Sequence, residues 1–157
     1  MLYFLFLNYA PKLRISYGMD NHIFLGKLGE DLACRFLEER GFKVLERNYW
    51  KKWGEIDIVA QEKESLFGKK EPVAHFVEVK AVAREINEDG VIRETKHGFQ
   101  PEDAIHPWKI KRLKRAIQSY LLEKNLQDSN WQFDIVAVFV DQEKKTARVR
   151  YTENILI

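Results

Sequence analysis

Two short apolar runs carry charge where hydrocarbon is expected. Glu55-Ile56-Asp57-Ile58-Val59-Ala60 holds Asp57, and His75-Phe76-Val77-Glu78-Val79-Lys80-Ala81 holds Glu78 and Lys80. β-Branched and aromatic residues dominate both runs and turn-forming residues flank them, so both read as strands. Charge in such a strand is costly unless it is paired or bound to a metal. Carboxylates on neighbouring strands suit a hard divalent cation, which takes oxygen ligands and keeps part of its water shell. A cation held this way polarises a phosphate and activates a water, and a lysine beside it offsets charge developed in the transition state. Strand geometry puts Glu78 and Lys80 on one face, ~6.6 Å apart along the backbone, near enough to serve one phosphate. The chemistry indicated is metal-assisted hydrolysis of a phosphodiester, and the competing reading is an ordinary ion pair.

The letters alone do not select this site, because Glu-x-Lys occurs at Glu78-Val79-Lys80, Glu94-Thr95-Lys96 and Glu143-Lys144-Lys145. The second and third lie among polar turn residues, where solvated charge costs nothing. The first follows Phe76-Val77 and comes after an aspartate-bearing strand.

The elements that must hold these residues follow from periodicity. Over Ile23 to Arg40, Leu25, Leu28, Gly29, Leu32 and Phe36 share one helical face, and Gly41 supplies the stop. Glu30 sits at the margin of that face, where its carboxylate can point into a cleft or simply into solvent. Phe42 to Tyr49 reads as a strand, and Trp50 to Gly54 as the turn of a hairpin into the Asp57 strand. A polar loop from Glu62 to Pro72 precedes a strand over Val73 to Ala81. Residues 82 to 107 show no period and are long for a connection. A helix over Trp108 to Lys124 carries the stripe Ile110, Leu113, Ile117, Tyr120, Leu121. Strands over Trp131 to Val140 and Thr146 to Tyr151, joined by a turn, complete the order α-β-β-β-α-β-β. The fold class is α/β, a mixed central sheet flanked by helices.

Whole-chain properties narrow the function classes. A chain of 157 residues, 45% hydrophobic and 32% charged, suits one domain. The single cysteine, Cys34, makes no internal disulfide, which fits a reducing cytoplasm. His22, His75, His97 and His106 lack the spacing of a zinc site, so any metal should be oxygen-ligated. The apolar run Met1 to Leu7 is far short of the ~20 residues that span a bilayer. It also lacks the basic start of a secretory signal. Residues 1–18 therefore read as an extension of doubtful status ahead of a domain over 19–157, with Met19 as an alternative start.

The net charge of +2 says little, but Lys109, Lys111, Arg112, Lys114 and Arg115 fall within seven residues with no acid among them. Such a patch can neutralise several phosphates, or it is a solvated helix face. Trp50 and Trp53 are candidates for stacking on unpaired bases, although packing of the hairpin on the core explains them more simply. Asp134 is most simply a structural acid, and Cys34 an inert helix residue. His75 and His106 receive no role.

The ordered set Gly26-x-x-Gly29-Glu30-x-x-Ala33, Gly54-Glu55-Ile56-Asp57, Phe76-Val77-Glu78-Val79-Lys80 and Phe133-Asp134-Ile135-Val136 resembles the YraN-like family of small bacterial proteins over roughly residues 22 to 151. That family is similar to Holliday-junction resolvases of the PD-(D/E)xK nuclease superfamily. The resemblance implies a restriction-endonuclease-like fold, with Asp57 and Glu78 as ligands of Mg²⁺ or Mn²⁺. Lys80 would be the catalytic lysine, Glu30 an additional acid and Lys109 a phosphate contact. It departs at Ala81-Val82-Ala83, where an arginine is usual, and at Gln132, where a basic residue is usual. The expected activity is metal-dependent endonucleolytic cleavage, with branched or flapped DNA as substrate by analogy. A symmetric dimer fits enzymes that cut paired strands. The alternatives are a non-catalytic nucleic-acid-binding module on the same fold and a protein whose acids are structural ion pairs.

Overall fold

The computed structural model describes residues 2–8, 21–62, 72–87, 92 and 106–157. Its elements run β1 (Leu2–Asn8), α1 (Asn21–Glu39), β2 (Phe42–Lys51), β3 (Gly54–Glu62), β4 (Ala74–Ala83), α2 (Pro107–Glu123), β5 (Trp131–Asp141) and β6 (Thr146–Thr152). From α1 onward this is the expected α-β-β-β-α-β-β order. The six strands form one sheet in the order β1-β6-β5-β4-β3-β2. Among the described strands only the β4–β5 pairing is parallel. The architecture is α/β and restriction-endonuclease-like.

Each helix covers a face of the sheet, and each face has its own core. Leu28, Leu32, Ala33, Phe36 and Leu37 of α1 pack with Ile58, Ala60, Val77, Val136 and Val138. Leu113, Ala116, Ile117, Tyr120 and Leu121 of α2 pack with Ile56, Val59, Phe76, Phe133 and Ile135. β5, buried along nearly its whole length, serves both cores, which is why it reads as a continuous apolar run. No described helix is long and apolar enough to cross a membrane.

The extension expected over residues 1–18 contributes β1, which runs antiparallel to β6 from Leu2↔Thr152 to Asn8↔Thr146. The expected turn at Trp50 to Gly54 is tighter. Trp50 pairs with Glu55 and Lys51 with Gly54, leaving Lys52 and Trp53 as the turn. Much of the connection over 82–107, including Gly98 and Pro101, lies outside the described residues. Within it Ile86 bridges Ile92, and the Ile86 N–H donates to Asp141 Oδ2 at 3.0 Å.

β3 changes sides partway along. Ile58 and Ala60 belong to the α1 core and Val59 to the α2 core, as strict alternation requires. Ile56 should then face α1, yet it lies in the α2 core. The phase therefore shifts at Asp57. On the neighbouring strand, Asn48 falls between the pairs Arg47↔Ile58 and Tyr49↔Ile56 and has φ 52°. That left-handed conformation is one asparagine tolerates better than most residues. Both strands thus turn over together at Asn48 and Asp57.

Candidate metal and nucleic-acid site

Asp57 stands where backbone pairing ends. The β3–β4 ladder runs from Gln61↔Ala74 to Ile58↔Val77 and stops there. The next free amide of β4, Val79 N–H, donates to Asp57 Oδ2 at 2.7 Å. A carboxylate thus replaces the backbone acceptor and lets the strands part beside Glu78. Glu78 is buried at 6% exposure, so its charge needs a counter-charge. Burial, and then repulsion from Glu78, push the Asp57 carboxyl up to about 7, against the lowering effect of Val79 N–H and Lys109. Two crowded acids of this kind accept a cation readily, because a cation relieves both the desolvation and the repulsion.

The ammonium of Lys109, in the first turn of α2, is bonded to Glu78 Oε1. The sequence grouped Lys109 with four other cations as a DNA contact, and the fold places its ammonium against Glu78. Lys111, Arg112, Lys114 and Arg115 remain exposed, while Leu113, Ala116, Ile117, Tyr120 and Leu121 of the same helix are buried. Lys109 also lines an open cleft of about 430 Å³ with Gly54, Glu55, Lys80, His106, Trp108, Arg112 and Leu113. Lys80 and Lys109 therefore share one depression, and Lys109 joins it to Glu78.

Glu30 belongs to the surroundings of this centre. Its charge adds to the upward push on Asp57, but its Oε2 accepts from Asn48 Nδ2 at 3.0 Å and lies 3.7 Å from an Arg47 guanidinium nitrogen. Arg47 is held more closely by Asp31, at 2.6 Å. Among the described residues no group of three or more His, Cys, Asp or Glu side chains is placed to hold a metal. The carboxylates that could hold a cation here are Asp57 and Glu78. Two carboxylates with water fit Mg²⁺ or Mn²⁺, which rarely take an all-protein cage.

Two motif glycines explain the closeness of the layers. A Cβ at Gly29 would stand 2.4 Å from Ala81 Cβ, so the glycine lets α1 lie against β4 next to Lys80. A Cβ at Gly54 would stand 2.4 Å from the Arg112 carbonyl oxygen, so the start of β3 and α2 meet backbone to backbone. The glycines preceding Glu30 and Asp57 are close-approach positions.

The other candidates separate cleanly. Asp134 is fully buried and accepts from His75 Nδ1 (2.7 Å), Tyr151 Oη (2.8 Å), Gln132 Nε2 (2.8 Å) and Asn154 N–H (2.8 Å). It is a structural acid, and Gln132 serves that network. Burial, reinforced by Asp134, drives the Tyr151 hydroxyl strongly upward. Cys34 is buried and its thiol is pushed up to about 11 by burial, which leaves it inert at neutral pH. Trp53 packs on α2, its Nε1 donating to Ser119 Oγ at 3.1 Å. Trp50 is exposed.

Sequence reasoning missed Asn48 and Trp108. An asparagine inside a strand-forming run signals a backbone irregularity, which was the available clue to Asn48. Trp108 stands just outside the apolar stripe of α2.

The family model described as "Uncharacterised protein family UPF0102" matches residues 29–138, a span that contains Glu30, Asp57, Glu78, Lys80 and all five cations of α2. A UPF0102 protein of Syntrophus aciditrophicus is 35% identical over 127 residues, covering 81% of this chain and 85% of that protein. One from Flavobacterium psychrophilum is 34% identical, covering 87% and 96% respectively. A Campylobacter jejuni relative is 32% identical, covering 83% and 91%. The family match takes in part of α1, the whole of α2 and the strands that carry the two acids, and the chain belongs to the UPF0102 family, the YraN-like group its motifs resemble.

Proposed function

We propose that this protein is a metal-dependent endonuclease, hydrolysing phosphodiester bonds in nucleic acid with branched or flapped DNA as substrate. The observation that carries the reading is the crowding of Asp57 against buried Glu78, beside a cleft lined by Lys80 and Lys109. Asp57 and Glu78 would hold Mg²⁺ or Mn²⁺, and the bound ion supplies Lewis-acid polarisation of the phosphate and a more acidic water. Lys80 donates to the phosphate and orients the attacking water, opposing charge as it builds on the phosphoryl oxygens. Lys109 holds the Glu78 carboxylate in place and brings a second positive charge to the cleft. Glu30 adds negative potential from the α1 side. The exposed cations of α2 grip the backbone without reading sequence. We place this activity in the cytoplasm, in keeping with a single cysteine. A symmetric pair of such sites would cut both strands of a junction.

A second reading is favoured by the Lys109–Glu78 contact, which is also what a structural ion pair looks like. On that reading the chain binds nucleic acid and turns over nothing. Labelled junction, flap, single-stranded and duplex DNA, incubated with Mg²⁺ or Mn²⁺, separate the two. Cleavage should fall by about 10²-fold or more in Glu78→Gln and in Lys80→Ala, the scale on which lost electrostatic stabilisation is felt. Cleavage indifferent to both changes removes the site, and binding without cleavage by the wild type favours the second reading.

A further inference from the structure

Trp108, the second residue of α2, is 62% exposed. Exposure alone decides nothing, since Trp50 is 67% exposed and does not line the cleft. What distinguishes Trp108 is its company. It forms part of the cleft wall together with Lys80, Lys109 and Arg112. Arg112, one helical turn on, carries its guanidinium carbon 5.9 Å from the indole centroid. The Arg112 Nε donates to the Trp53 carbonyl oxygen at 3.2 Å, so the β2–β3 turn steadies the guanidinium against the ring. A broad aromatic surface, a fixed cation beside it and two lysines in the same depression present complementary chemistry to a base and its phosphates.

We propose that Trp108 is the stacking platform for an unpaired nucleobase of a DNA strand whose backbone enters the cleft toward Lys80, a proposal that rests on the nuclease reading and names its substrate more closely. In continuous duplex every base already stacks on its neighbours, and taking one out costs that stacking and its pairing. A flap, a frayed arm or a single strand offers its base without that cost. The platform therefore selects DNA with an unpaired nucleotide beside the scissile bond, through ring contact rather than hydrogen bonding to base edges.

Fluorescence anisotropy with the full chain tests this, using Ca²⁺ in place of Mg²⁺ so that binding is read without cutting. The probes are a mixed-sequence single-stranded DNA, the same strand made abasic, and the matching RNA. Trp108→Ala should weaken the base-bearing DNA about tenfold and change the abasic strand by less than about twofold, with Trp108→Phe retaining most affinity and Trp50→Ala leaving it unchanged. Unchanged affinity in Trp108→Ala, or equal loss on both DNA strands, overturns the platform. A Trp108-dependent preference for RNA overturns the assignment to DNA. A wild type that cuts DNA yet binds it independently of Trp108 overturns the platform alone; one that binds none of these probes also overturns the platform, and the nuclease reading falls with it only if that protein cuts no junction, flap, single-stranded or duplex DNA.

Discussion

Asp57 carries a charge that its surroundings resist. Its folded carboxyl is raised from 3.8 to about 7, by burial first and Glu78 second. The folded state therefore holds the proton more tightly than the unfolded chain. The stability this group contributes is fully present below pH 4 and is lost as pH rises through 7. In chelator, urea unfolding between pH 5 and 8 should show wild type losing roughly 1–3 kcal/mol relative to Asp57→Asn, which cannot titrate. A parallel pH dependence in the two proteins would contradict that source. On the proposed metal-binding reading, Mn²⁺ would compete with the same proton, so its affinity should rise over this interval. Lys109, whose ammonium is bonded to Glu78 Oε1, would compete with a metal for that carboxylate. Lys109→Gln should bind Mn²⁺ severalfold more tightly by calorimetry, while the metal-free fold loses about 1–3 kcal/mol from an unpaired buried carboxylate. Equal Mn²⁺ affinity in the two proteins would mean that Lys109 does not compete for Glu78.

At the scale of elements, the site depends on three approaches: β3 to β4 through Asp57, α1 to β4 at Gly29, and β3 to α2 at Gly54. Gly54→Ala drives a methyl onto a backbone carbonyl, which has no rotamer by which to give way. It should cost about 1–3 kcal/mol, or several degrees of Tm, and displace Arg112 from the cleft. An unchanged Tm would show that the helix shifts freely. Much of this scaffold was legible beforehand. The α2 stripe has a 3.6-residue period, β5 is apolar on both faces, and the acids of β3 and β4 interrupt strand-forming runs. The fate of Lys109 was not legible, because five cations in seven residues are chemically alike until a distant strand supplies a buried glutamate. Trp108 was hidden for a related reason, since its meaning comes from Lys80, more than twenty residues away in sequence. Asn48 was overlooked because a left-handed residue leaves no periodic signature.

For the whole molecule, a net charge of +2 conceals a division of labour. Acids gather at Asp57 and Glu78, and Lys111, Arg112, Lys114 and Arg115 lie exposed on α2. Binding should be steeply salt-dependent, and each exposed cation removed should lower the slope of log K against log salt by about 0.7 for a single strand. Lys114→Ala is the cleanest case, and a slope unaltered by it would place the strand on another surface. The turnover at Asn48 and Asp57 has a wider reach. Because β3 is rooted in the α2 core on one side of Asp57 and mainly in the α1 core on the other, an ion seated on that carboxylate would clasp two otherwise separate interiors. Metal binding should then slow amide exchange in α1 and α2 together, though the helices lie on opposite faces of the sheet. Protection confined to α2 would mean that the strand transmits nothing through its change of face.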